Sequence, residues 1–158
     1  MKAIPAEYIP VLHPSKLEET VNQLDKVLSH VVTTGHARTE AYSNKAELIR
    51  KKTNYESAIK LTEADAFMGT QGEGKDQHGY VRDKKIFLNN DANRDAFRRA
   101  SSASERTELA NVNADIGYID TQYAQANDAW QAAVESANIV KVKANLQSAL
   151  LNFLSGRS

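Results

Sequence analysis

The chain of 158 residues has no cysteine, so disulfides and thiolate chemistry are excluded and a reducing compartment, the cytoplasm, is expected. Its 3 prolines, Pro5, Pro10 and Pro14, all precede residue 15, and it has 7 glycines, so little after residue 15 opposes helix. No run approaches the ~20 apolar residues that cross a bilayer, and Met1 to Pro14 lacks a signal-peptide pattern, so no membrane partner is expected. Charge of one sign is lacking as well. With 20 Lys and Arg against 20 Asp and Glu, the chain cannot coat a duplex by bulk positive charge, although local basic patches stay open.

What is present is a seam. Alternate steps of three and four residues connect Leu109, Val112, Ile116, Ile119, Tyr123, Ala126, Trp130, Ala133, Ala137, Val140, Ala144, Gln147, Leu151 and Leu154. This spacing places one apolar stripe along a long helix, as in a coiled coil or long-helix bundle. At ~1.5 Å per residue the helix would extend roughly 65–70 Å and would need an equally long partner, from the same chain or another. Alanines between Tyr123 and Trp130 let the backbones approach, and the rings need complementary holes. Gln147 is the polar member: either it is buried and hydrogen-bonded, setting alignment, or it faces water where the seam frays.

The fold class expected is therefore all-α, a long helical hairpin or coiled-coil-like bundle. It would have an extended Pro-containing N-terminal arm over 1–14, apolar enough to dock on the chain itself or on a neighbouring subunit. A helical arm over 15–68 starts at a Ser15/Glu18 capping box and carries the stripe Leu17, Val21, Leu24, Leu28, Val31. Low helix propensity around Thr33, Thr34 and Gly35 suggests a hinge near 33–36, and a continuous bent helix is also allowed. A Gly-rich loop and short extended segment fill 69–89, with Val81, Ile86 and Leu88 as anchors. Asn89, Asn90 or Asp91 caps a long return helix in 90–158, from about Ala92 to Leu154, and Gly156 stops it.

Chemistry is sparse. Gly69, Gly74 and Lys75 fit the spacing of a phosphate-binding loop, but Asp76 stands where a hydroxyl should hold magnesium, and the preceding segment reads as helix. His36 and Glu40 have one-turn spacing, yet no metal set, cofactor or catalytic grouping emerges, and no enzyme is expected. Cations do gather near aromatics: Arg50, Lys51 and Lys52 before Tyr55; Arg82, Lys84 and Lys85 between Tyr80 and Phe87; Arg94, Arg98 and Arg99 around Phe97. Such sets suit single-stranded nucleic acid, whose phosphates are neutralised while bases stack. An ordinary solvated surface with Tyr55 and Phe97 in the core is the competing account.

The organisation of the second half, with its basic centre, its capped entry Asn90 to Arg94 and its Leu-rich end Leu146 to Leu154, resembles small phage-encoded helical proteins. The recombination mediators of T4-type phages, the UvsY family, are among these. The resemblance implies a homo-oligomer that binds single-stranded DNA in recombination or replication and helps load a recombinase. The alternative is a structural or assembly protein, such as a virion component, scaffold or chaperone, acting only through helical packing with a protein partner.

Overall fold

The computed structural model describes residues 5–156, the side chain of Ile9 excepted. The elements in order are α1 (Ile9–Leu12), α2 (Pro14–Met68), a 3-10 turn (Gly74–Asp76), β1 (His78–Val81), β2 (Lys84–Phe87), α3 (Asp91–Ser101) and α4 (Ala103–Ser155). The fold is a helical hairpin, α2 packing against α4, with one small antiparallel sheet between them in sequence. The chain divides into two compact units, Met1–Tyr42 with Thr121–Ser158, and Ser43–Asp120.

In the first unit the predicted seam is the packing face of α4. Ala133 and Gln147 are buried, while Tyr123, Ala126, Trp130, Ala137, Val140, Ala144 and Leu154 are half-buried. Trp130 lies against Gly35 of α2, the Arg38 guanidinium sits 4.5 Å from the centre of its ring, and Tyr42 meets Tyr123 with centroids 6.1 Å apart. Gln147 is the buried, bonded residue, donating from Nε2 to the Val11 carbonyl at 3.2 Å. The stripe slips at its end, where Leu151 is exposed and Leu150 is half-buried in its place. The change is local, because Gln147 and Leu154 on either side keep their inward places.

Four expectations for the first unit need correction. Over residues 5–14 the arm is not extended: Pro10 stands near the start of the four-residue α1, where a missing N–H costs nothing, and Leu12 is buried. Met1 to Ile4 of that arm lie outside the described residues. The capping box does not form, because α2 starts at Pro14 and the Ser15 hydroxyl lies 2.7 Å from Nδ1 of His13. No hinge occurs at 33–36; the Thr33 and Thr34 hydroxyls donate back to the Ser29 and His30 carbonyls within an unbroken helix. The α2 stripe also turns by one position, with Thr20 and Val27 inward where Val21 and Leu28 were expected. Both sets satisfy the spacing, and Thr20 is buried at little cost because its hydroxyl donates to the Lys16 carbonyl.

In the second unit Leu109, Val112, Ile116 and Ile119 continue the seam, and Lys45 bridges to Asp120 at 2.7 Å. The return helix is two segments. Ser102 departs from helical geometry between α3 and α4, while its N–H still donates to the Arg98 carbonyl. The entry and exit are as expected: Asn90 caps α3 by accepting from the Asn93 N–H at 2.8 Å, and Gly156, at φ 72°, ends α4. Among the described residues no helix is long and apolar enough to cross a membrane.

Candidate nucleic-acid interface

The segment between α2 and α3 is a built structure. Gln71 bridges to His78, the 3-10 turn closes the Gly-rich stretch, and β1 pairs with β2 in the register His78 with Phe87, Gly79 with Ile86, Tyr80 with Lys85 and Val81 with Lys84. Because side chains alternate across a strand, this register sorts the eight paired residues into two faces. Gly79, Val81, Lys84 and Ile86 share one face, on which Gly79 is buried, Val81 and Ile86 are half-buried and Lys84, beside the turn, is exposed; the buried Leu88 follows. Gly79 has to be glycine: a Cβ there would come within 2.5 Å of the Phe97 ring, which is buried and meets Phe67 edge-on at 5.4 Å.

The opposite face holds His78, Tyr80, Lys85 and Phe87. Its rings form a row, His78 to Tyr80 at 5.7 Å and His78 to Phe87 at 5.8 Å, with Lys85 Nζ 4.8 Å from the Phe87 centroid. Tyr80 is 55% exposed and Phe87 44%. The two strands are joined through Arg82 (φ 47°) and Asp83 (φ 64°), both in the left-handed region that a type I′ turn demands and that Asn and Gly adopt most easily. The hairpin thus carries Arg82, Lys84 and Lys85 against the single carboxylate Asp83. Beside the turn lies a groove of about 450 Å³ lined by Tyr80, Val81, Arg82, Thr62, Ala66 and Ser104.

The other predicted cations are spread more widely. Arg50, Lys51 and Lys52 sit at least ten residues before Thr62 on α2, roughly 15 Å along the helix from the groove. Lys51 pairs with Glu47 at 3.4 Å, while Lys52 and Tyr55 lie half-buried on the inward stripe of α2. Arg94 spans Asp91 and the Leu88 carbonyl, tying the hairpin exit to α3. Arg98 pairs with Asp95 and lies 5.2 Å from the Phe67 centroid; Arg99 is exposed. Sequence reasoning on cations did not single out His78, Tyr80 and Phe87 as the ring row. The alternation in HGYVRDKKIF around a two-residue turn was the available signal.

A polar cluster stands at the α3–α4 junction. The Glu63 carboxylate accepts from Arg106 at 2.7 Å and faces the buried Ser102 hydroxyl at 2.9 Å, which itself accepts from Arg106 Nε. Partial burial pushes the Glu63 carboxyl up, but hydrogen bonds from Arg106 and Ser102, with the charges of Arg106 and Arg98, outweigh it and hold the carboxyl below its ordinary value. Each member has a structural partner, so the cluster fastens α2 to the return segment. No family model, curated protein or solved structure matches the chain.

Proposed function

We propose that the chain is a nucleic-acid accessory protein that binds single strands on the outer face of the β1–β2 hairpin. The observation that carries this is the row of half-buried His78 and exposed Tyr80 and Phe87, with Lys85 against it and with Arg82 and Lys84 exposed at the adjoining turn. Exposed rings cost hydration free energy on an isolated surface, and a base laid on such a ring recovers it; base–aromatic stacking is worth ~1–3 kcal/mol per base. The three cations neutralise backbone phosphates, and duplex is disfavoured because its base faces are already stacked. A place in recombination or replication is what the phage resemblance would add.

Fluorescence anisotropy with a labelled oligonucleotide tests the reading. Three phosphate contacts predict a log–log salt slope of about −2 for single strands. Lys84→Gln with Lys85→Gln should cut that slope to about −0.7. Tyr80→Ala with Phe87→Ala should weaken binding at least about tenfold at every salt concentration. An absence of binding at low salt, or binding indifferent to all four substitutions, rejects it.

A further inference from the structure

In the first unit, α4 carries a second apolar stripe on the side away from its seam. Ile139, Val142, Leu146, Ala149 and Phe153 repeat the three-and-four spacing, and the four large members are 71%, 66%, 59% and 79% exposed. Between Ala144 and Gly156 there is no charged residue at all. A solvated helix face is normally laced with Lys, Glu and Arg, whereas the centre of a protein interface is depleted of charge. A helix with two separate apolar stripes needs a partner for each, and α2 covers one.

We infer that the outer stripe is covered by the same stripe of a second copy, the two α4 helices running antiparallel about a two-fold axis. With the axis between Gln147 and Ser148, Val142 of each copy faces Phe153 of the other and Leu146 faces Ala149, so every layer sets a larger side chain against a smaller one. A two-fold axis repeats each layer, giving four from one short segment. The edges are compatible: Asn138, Asn145 and Asn152 border the stripe on one side, and Lys143 comes opposite Asn152, so no like charges meet. The stripe offers about 500 Å² per copy, hence about 1,000 Å² in a pair, at the lower bound for a specific interface and consistent with micromolar association.

This inference uses residues remote in sequence from the hairpin and does not depend on nucleic-acid binding. Sedimentation equilibrium of the full chain from about 1 to about 200 µM brackets the affinity such an interface supports. The mass should climb from 17.5 kDa toward twice that value. Val142→Glu and Leu146→Glu place charge on positions already in water, so helicity by circular dichroism should hold while each variant stays monomeric throughout. A wild-type monomer over the whole range overturns the inference, as does a dimer that survives both substitutions. Co-sedimentation with phosphatidylcholine–phosphatidylserine vesicles by a chain that never dimerises overturns it too, by assigning the face to lipid.

Discussion

Gly79 and Phe97 show how a single hydrogen can fix a site's geometry. The ring occupies the space a Cβ would need, which lets the hairpin lie flat on α3 and leaves Tyr80 and Phe87 facing outward. Gly79→Ala overfills the contact and should cost about 1–3 kcal/mol, while Phe97→Ala empties it and should cost about 3–5 kcal/mol. In the double variant the added methyl fits the vacated space, so that variant's cost should be less than the sum of the two single costs in denaturant titrations. Glu63 gives a residue-level pH effect. Its folded value lies below the unfolded one, so its contribution is full above the unfolded value of about 4.3 and is lost as pH falls through the folded value. Wild type should therefore lose more stability than Glu63→Gln on acidification below about pH 4.3; equal losses would show that the carboxylate carries no such linkage.

Among the elements, the hairpin holds two adjacent residues, Arg82 and Asp83, at positive φ without glycine or asparagine. Asp83→Gly relieves one strained position and removes the only carboxylate of the turn, so thermal stability and single-strand affinity should rise together. Arg82→Asn relieves the other but deletes a cation, so stability should rise while affinity falls. Opposite signs in the two variants, read by melting and by titration, mark Arg82 as a residue kept for binding. These elements also mark where the sequence was legible. The seam from Leu109 to Gln147, the Asn90 cap and the Gly156 stop follow from local spacing and capping rules, and each is found where those rules put it. The inward choice of Thr20 over Val21 was not legible, because two stripes one residue apart fit the same spacing and only the facing helix decides between them. The break at Ser102 depends on Glu63 and Arg106 converging from distant positions in the chain. The ring row was hidden for a similar reason, since strand register, which places Lys85 opposite Tyr80, is a pairing between segments.

At the scale of the whole molecule, neutral net charge conceals an uneven distribution of task. The second unit buries Ile59, Leu88, Phe97, Val112 and Ile119, enough to hold a small hairpin rigid, and contains every cation assigned to nucleic-acid contact. Among apolar side chains described in the first unit, Leu12, Ala41 and Ala133 are buried; the unit relies on half-buried rings between alanines and leaves an uncharged apolar stripe in water. On these two proposals, one unit would present a binding surface and the other would associate between helices. The measurement that tests this most directly is an amide NMR titration of the labelled chain with an unlabelled single-stranded oligonucleotide at low salt. The account predicts that the largest shift changes fall on residues 78–87 and leave Arg50, Lys51 and Trp130 unmoved. Changes centred on Arg50 to Tyr55 or on the first unit, or no changes at saturating oligonucleotide, would contradict it.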